Sequence, residues 1–230
     1  PHQAVPEIRW TDGRRLDLGR VGAACHACGA RLVLDLTQSL GAAPFDVGTV
    51  RPDFVVAAGY KLLLGPYSLG WLWVAPRHRD GRPLEETWIG RAGAEDFTRL
   101  IDRSDGYQPG ARRFDVGERA NFALLPAAIA SLELLLAWGV PQIAATLGRM
   151  TRRLADELAP LGVEAVPEAL RGAHYLGLRL PESAPADIAA RLAAERIFVS
   201  VRGAFLRVTP HLYNDAHDLE RLIAALRRMR

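Results

Sequence analysis

Short apolar runs bounded by glycine, proline or polar residues recur along the first third of the chain. Their length and continuity predict buried strands over 31–36, 53–58 and 69–74. Apolar residues at helical spacing over 16–27 precede the first run, and Gly29 follows them as a helix stop. Polar residues stand at the C-terminal ends of the strands, which is typical of an α/β sheet whose functional sites gather outside those ends.

The remainder of the chain changes pattern twice. Residues 76–118 are rich in Arg, Gly, Asp and Pro and have weak periodicity, which predicts a long, functionally important connection. The elements predicted after it are helices over 121–138, 141–158, 185–195 and 215–230, and strands over 174–180, 197–201 and 205–209. We place a domain boundary near Trp138–Pro141, which gives domains 1–138 and 139–230, the second a small α+β domain.

Composition excludes several classes of function. The chain has 230 residues, is 49% hydrophobic and carries a net charge of +3, but its arginines are scattered among 26 acidic residues without interleaved aromatics. We therefore expect no nucleic-acid partner. No stretch approaches the roughly 18 apolar residues of a membrane span, and the first residues show no secretory signal. Two cysteines suit a reducing cytoplasm. The chain does not begin with methionine, which suggests a fragment or a processed chain.

Cys25 and Cys28 form the one CxxC pair. A zinc site needs two further ligands at suitable spacing, and the sequence has no second Cys/His pair. A thioredoxin-type pair would precede a helix, whereas this pair precedes a strand. We therefore predict no metal site and interpret both cysteines as small buried residues at a helix end.

Lys61 is the only lysine among 29 basic residues. Arginine cannot replace lysine as an amine nucleophile, because its guanidinium stays protonated in proteins. A single lysine is therefore a candidate for Schiff-base chemistry with a carbonyl group. The alternative is that compositional bias has left one lysine without a function.

Asp35 and Gln38 follow one predicted strand, and Lys61 follows the next. A buried carboxylate at a strand end needs a cationic partner, and a pyridinium nitrogen is one such partner. An amide three residues further on can hydrogen-bond the phenolic oxygen of the same ring. A lysine for the aldehyde completes the set that a pyridoxal phosphate (PLP) site requires.

The same residues carry a family resemblance that runs through nearly the whole chain. The segments are LDLTQSLG at 34–41, DF at 53–54, GYK at 59–61 and GP at 65–66, followed by Gly70. They resemble the class V aminotransferase family, a fold-type I PLP group that includes cysteine desulfurases, kynureninases and isopenicillin N epimerase-like proteins.

The resemblance implies a role for each residue. Lys61 would form the internal aldimine and then shuttle a proton. Asp35 would bind the pyridine nitrogen and Gln38 the ring hydroxyl. Thr37 would pack against one ring face, and Tyr60 would lie near the phosphate, as in kynureninase-like members.

Two downstream segments extend the resemblance. RFDVGERAN at 113–121 is similar to a glycine-containing loop that reaches a neighbouring subunit's site, which makes Arg119 and Asn121 candidates and implies a homodimer. LRVTPHLYN at 206–214 is similar to the segment whose arginine binds the substrate α-carboxylate, which makes Arg207 the candidate for bidentate carboxylate binding.

The chain also departs from the family. Residues 200–205 lack the nucleophilic cysteine of cysteine desulfurases, so desulfurase activity is not expected, whereas a selenocysteine lyase or β-elimination reaction stays open. The sequence shows no glycine-, serine- or threonine-rich loop that would cradle the phosphate at a helix N-terminus. Without the family's N-terminal portion, we expect an unpaired sheet edge, exposed apolar faces and weak or absent PLP binding by these 230 residues alone.

The resulting prediction is the C-terminal part of a fold-type I PLP-dependent transferase. Residues 1–138 would be the remaining part of the PLP-binding large domain, with a partial, mainly parallel sheet and helices. We expect a cytoplasmic PLP-dependent transferase or lyase acting on a small amino acid. The alternative is a truncated, inactive remnant that acts only as a partner or regulatory subunit. A nicotinamide-binding domain fails for want of a Gly-x-Gly-x-x-Gly motif, and a serine hydrolase fails because Ser39 lacks flanking glycines.

Overall fold

The computed structural model describes residues 1–99, 101 and 105–229. In chain order the elements are β1 (His2–Pro6), α1 (Leu18–Ala27), β2 (Arg31–Asp35), α2 (Val47–Val50), β3 (Phe54–Ala58), β4 (Gly70–Val74), α3 (Leu125–Trp138), α4 (Val140–Leu158), β5 (Glu164–Ala165), β6 (Leu176–Arg179), α5 (Ile188–Ala194), β7 (Ser200–Arg202), β8 (Phe205–Val208) and α6 (Ala216–Arg228). Parts of the predicted connection 76–118 and the last residue of the predicted helix 215–230 lie outside the described residues.

Every predicted helix and strand is present, with shifted ends. The largest shift at a helix start is at α3, which was predicted from residue 121 and begins at Leu125. Asn121 instead caps the helix, because its side-chain oxygen accepts a hydrogen bond from the Leu124 amide at 3.0 Å. Pro126 fits the first turn, where no intrahelical donor is needed. The strands β1 and β5 were not predicted, because neither contains an apolar run.

The first sheet has the strand order β1-β2-β3-β4. Strands β2 and β3 are parallel, with Asp35 opposite Val56. Strands β3 and β4 are antiparallel, with Ala58 opposite Gly70. The connection between β3 and β4 is too short for the crossover that a parallel pair requires, so the described pairings of this sheet are mixed.

The two faces of this sheet differ in exposure. Leu32, Leu34 and Leu36 on one face are each 0% exposed, whereas Val56 on the other face is 38% exposed. Asp35 lies on the open face and is exposed, so the expectation of a buried carboxylate was wrong. The physical reason is that side chains alternate between faces along a strand, and only one face of β2 is covered by the described residues.

The second sheet has the strand order β5-β6-β8-β7 and is antiparallel in all its described pairs. One face packs against α4 and α6 through the fully buried leucines of the core, which include Leu154, Leu158, Leu176, Leu178 and Leu206. A reciprocal capping box between Asp215 and Asp218 begins α6. These elements form the predicted small α+β fold.

The other face of the second sheet is covered by a hairpin-like segment, residues 6–18. Ile8 and Arg15 form a β-bridge across it, and Arg14 bridges to Arg171. The segment lies against Gly177 so closely that a Cβ there would stand 2.2 Å from the Asp12 carbonyl oxygen. Gly177 is therefore fixed by the close approach of another backbone.

The chain divides into two compact units. The first comprises Pro1–Val5, Gly19–Thr37 and Asp46–Glu133. The second comprises Pro6–Leu18, Gln38–Phe45 and Leu134–Arg230. The division into domains 1–138 and 139–230 stays a prediction, because compactness alone does not show which segments fold together.

Within the described part of the chain, no single helix has the length and apolarity needed to cross a membrane, although the bent pair Leu125–Trp138 and Val140–Leu161 meets that requirement jointly by length and composition.

Replacing Gly177 by alanine should destabilise the protein. The added methyl would force the Asp12 backbone away from the sheet, at a cost of about 2 kcal/mol in the free energy of unfolding, as is typical of overpacked sites. Gly148→Ala, within α4, is the matched control, because its Cβ would make an ordinary 3.5 Å contact with the side chain of Ala173. Urea denaturation of both variants tests this, and equal midpoints would contradict the packing described for residues 6–18.

Candidate functional site

The turn that carries Lys61 follows the end of β3 directly. The Gly65 amide donates to the Gly59 carbonyl at 2.8 Å, and the Leu64 amide donates to the Lys61 carbonyl at 2.9 Å. A Cβ on Gly65 would stand 3.0 Å from the Gly59 oxygen, so the backbone leaves little room for a larger residue. Leu64 adopts a left-handed conformation with φ of 57°. Hydrogen bonds and close backbone contacts thus define the Lys61 turn.

The Lys61 side chain is half-buried beside aromatic rings. Its Nζ lies 5.8 Å from the centre of the Tyr60 ring, and Tyr60 stacks on Tyr67 with ring centroids 4.3 Å apart. Among the ion pairs of the described residues, none involves Lys61. Within the described part of the chain, the amine therefore has an aromatic neighbour and no ion-paired carboxylate.

Asp35 and Thr37 form the end of β2. The Asp35 Oδ1 accepts a hydrogen bond from the Thr37 amide at 2.9 Å, and the Thr37 hydroxyl oxygen accepts one from the Ala58 amide at 3.0 Å. The second bond joins the end of β2 to the end of β3, three residues before Lys61. Asp35, Thr37, Tyr60 and Lys61 consequently lie at one edge of the first sheet, as the strand ends predicted.

Gln38 belongs to the second compact unit, as does the histidine that contacts its backbone. The Nε2 of His174 donates to the Gln38 carbonyl at 2.6 Å, which requires the proton on that nitrogen. The Nδ1 of His174 is buried without a hydrogen-bond partner in the described structure. Burial holds the pKa of His174 below its ordinary value, the bond to Gln38 opposes this, and nearby His211 adds to the lowering. His174 is thus a neutral donor that fixes the Gln38 backbone.

Arg207 lies in the second unit, on β8, between Gly177 of β6 and Ser200 of β7. Its side chain is half-buried and points to the face opposite the buried Leu206 and Val208. The guanidinium carbon stands 5.1 Å from the centre of the Tyr175 ring. The Nε of Arg207 is buried and has no hydrogen-bond partner among the described residues. This arginine therefore has one N–H group that the described residues leave unpaired.

The remaining candidates have local structural partners. Asn121 caps α3 through its side-chain oxygen, as described above. Arg119 forms an ion pair with Asp115 at 3.2 Å.

Cys25 is buried at the end of α1, but Cys28 is exposed, so the expectation of two buried cysteines was wrong for Cys28. The reason is that α1 ends at Ala27, and Cys28 begins the turn beyond it. The described residues contain no group of three or more His, Cys, Asp or Glu arranged for a metal ion.

Sequence reasoning missed His174, Tyr175 and Tyr67. The first two stood inside a predicted strand over 174–180, where the pattern marked them only as strand residues. A polar His and Tyr at the start of an otherwise apolar strand were the available signal. Tyr67 lies seven positions after Tyr60, and only the folded turn brings their rings together.

The family model for class-V aminotransferases matches residues 7–222. The chain belongs to this family. A kynureninase of Deinococcus radiodurans is 40% identical over 115 residues, which cover 49% of this chain and 27% of that protein. The uncharacterized aminotransferase YcbU of Bacillus subtilis is 27% identical, over 95% of this chain and 57% of that protein. The chain thus spans a little over half the length of YcbU, and its match to the kynureninase covers about a quarter of that protein.

Solved structures show the same fold. The cysteine desulfurase of Thermococcus onnurineus superposes with a TM-score of 0.78 and 20% identity, over 99% of this chain and 59% of that chain. The cystine C-S lyase C-DES, in complex with cysteine persulfide, superposes with a TM-score of 0.83 and 21% identity, over 98% of this chain and 60% of that one. The predicted fold, part of a fold-type I PLP enzyme, is confirmed.

The family is PLP-dependent, and the residues at the sheet edge fit that cofactor. One Asp35 oxygen is used by the Thr37 amide, and the other has no hydrogen bond within the described structure. Lys61 offers an amine that forms no ion pair within the described residues. A carboxylate for a ring nitrogen and an amine for an aldehyde are the donor set that this cofactor requires.

The neutral state of His174 predicts a pH-dependent stability. Its ordinary pKa is near 6.5, and burial lowers it in the folded protein. Its contribution to stability is therefore complete above pH 6.5 and is lost as the pH falls through that value towards the lower folded pKa, because the unfolded chain takes up the proton first.

Thermal unfolding between pH 8 and pH 5 measures this effect. In His174→Gln, an amide replaces the imidazole as donor to Gln38, so the fall in melting temperature with decreasing pH should be smaller than in the wild type. Exposed His217→Gln is the matched control and should follow the wild-type curve. Parallel curves for wild type and His174→Gln would show that His174 is not the titrating group.

Proposed function

We propose that this protein is a PLP-dependent enzyme that acts on an amino acid, with Lys61 as the residue that bonds the cofactor. The observation that carries the proposal is the parallel register of β2 and β3. It places the Asp35 carboxylate and the Lys61 turn at one sheet edge, and neither side chain has an ion pair in the described structure.

The bound cofactor supplies an aldehyde and a ring that accepts electron density from a substrate carbon. Asp35 would hold the cofactor by accepting the proton of its ring nitrogen at its free oxygen. Lys61 would supply the amine for the aldehyde and would move a proton at the substrate carbon as a general base and acid. Gln38 would donate a side-chain N–H to the ring oxygen.

The other candidate residues bind and orient. Arg207 recognises the substrate carboxylate through its planar guanidinium, which is suited to two parallel hydrogen bonds. Thr37 has its hydroxyl engaged by Ala58, so its methyl group is what remains to contact the ring. Tyr60 would lie near the cofactor phosphate, and Asn121 would contribute to substrate binding. The family membership supports a homodimeric, cytoplasmic enzyme of the transferase or lyase type.

The competing function is an inactive remnant that serves as a partner or regulatory subunit. The coverage of relatives motivates it, because the chain spans 57% of YcbU. Covalent attachment of the cofactor separates the two functions, because an enzyme should bond PLP through Lys61 and an inactive remnant should not.

Lys61→Arg should abolish covalent attachment of PLP while keeping the positive charge. The experiment uses the longest form of the protein that its source cells make. This protein is incubated with PLP, reduced with borohydride and digested for peptide mass analysis. In the wild type the peptide that contains Lys61 should gain the mass of the reduced cofactor. Because Lys61 is the only lysine of these 230 residues, no other side-chain amine in this part of the protein competes for the label.

Lys61→Arg should show no labelled internal peptide and an unchanged melting temperature. Tyr67→Phe, which keeps the aromatic stack beside the turn, is the matched control and should be labelled like the wild type. A wild-type protein that remains unlabelled on Lys61 would refute the enzyme and leave the inactive remnant.

A further inference from the structure

Tyr175 lies directly beneath Arg207 and is held there. It is 1% exposed, and its ring centre stands 5.1 Å from the guanidinium carbon of Arg207. Its hydroxyl donates a hydrogen bond to the Trp10 carbonyl. The ring fills the space beside Gly13, where a Cβ would stand only 2.4 Å from the Tyr175 Cδ1. The ring position is therefore fixed from the side of residues 6–18.

The acids near this aromatic contact are already paired within residues 6–18. Asp12 is 4% exposed and Glu7 is 1% exposed, and arginines of the same segment neutralise both. The pairs are Asp12 with Arg9 at 3.6 Å and with Arg14 at 3.4 Å, and Glu7 with Arg15 at 3.1 Å. None of the ion pairs in the described structure includes Arg207, whose characterised neighbour is Tyr175, through both its ring and its hydroxyl.

An aromatic neighbour has a different effect from an acidic one. A carboxylate beside Arg207 would occupy its N–H groups and compete with a carboxylate ligand. A ring face attracts the cation through its quadrupole and leaves the N–H edges of the guanidinium free. The Nε of Arg207 has no partner in the described residues, so this N–H is not committed to another protein group.

We propose that Tyr175 is a positioning residue that holds the Arg207 guanidinium flat on its ring, with the N–H edge directed at a carboxylate. Tyr175 acts through Arg207 and does not touch the ligand. Its ring is held by close packing against Gly13, with the hydroxyl bond to Trp10 as a second contact, and its orienting surface is the ring face. The inference rests on the proposed role of Arg207 in carboxylate binding.

Nuclear magnetic resonance of the arginine Nε–H groups tests the contact directly in the full protein. The Arg207 signal is assigned by its loss in Arg207→Lys. In the wild type its proton should be shifted upfield by the ring current of Tyr175. Tyr175→Phe should keep the shift, and Tyr175→Met, which fills the buried space without a ring, should lose it. A wild-type Arg207 signal without an upfield shift would overturn the proposal even if Tyr175→Met fails to fold.

Titration with sodium acetate measures the consequence for carboxylate binding, with sodium chloride at equal ionic strength as the control. Acetate should move the wild-type Arg207 signal in a saturable way that chloride does not reproduce. Tyr175→Met should weaken acetate binding by about 2- to 30-fold, the range expected for loss of a cation–π contact, while Tyr175→Phe stays near the wild type.

The outcomes separate the two proposals. Equal acetate affinity in the wild type and Tyr175→Met would overturn the positioning role and leave carboxylate binding by Arg207 intact. An upfield-shifted Arg207 signal with no acetate-specific response would instead refute carboxylate binding by Arg207, and the positioning role would fall with it.

Discussion

The parallel pairing of β2 and β3 is the constraint on which the candidate site depends. The pairing continues past the last residue of β2, because the Leu36 amide donates to the Val56 carbonyl at 2.8 Å and the Thr37 hydroxyl accepts from the Ala58 amide at 3.0 Å. The Thr37 side chain thus continues the hydrogen bonding between the two strands after the backbone of β2 has turned away. This fixes the end of β3, and with it the start of the turn that carries Lys61.

Acids that are held within the fold differ from an acid at the sheet edge that keeps one oxygen unbonded. Asp53 is 4% exposed and accepts hydrogen bonds from the Leu32 amide at 2.7 Å and from Arg77 at 2.8 Å. Burial alone would raise the pKa of Asp53, but these bonds and a further one from His78 lower it overall. Asp35, at the other end of its neighbouring strand, has one backbone donor and a free oxygen. The contrast supports a ligand-binding role for Asp35.

The sequence was sufficient for every element except β1, α2 and β5, and for one edge of the site. Strand ends placed Asp35 and Lys61 together, because parallel neighbours end at the same edge of a sheet. The contacts that it could not predict join distant segments: Tyr175 and Trp10 are separated by 165 positions, and His174 and Gln38 by 136. The pattern of apolar residues also could not predict that Asp35 is exposed, because an apolar run does not show which face of a strand is covered.

The state of the ring nitrogen tests the central claim most directly, because Asp35 and Lys61 are proposed to hold opposite groups of one cofactor. The full protein is loaded with PLP labelled with nitrogen-15 in the ring, and the nitrogen chemical shift is compared between the wild type and Asp35→Asn. The account predicts a protonated ring nitrogen in the wild type and a neutral one in Asp35→Asn. The same protonation state in both proteins would contradict it.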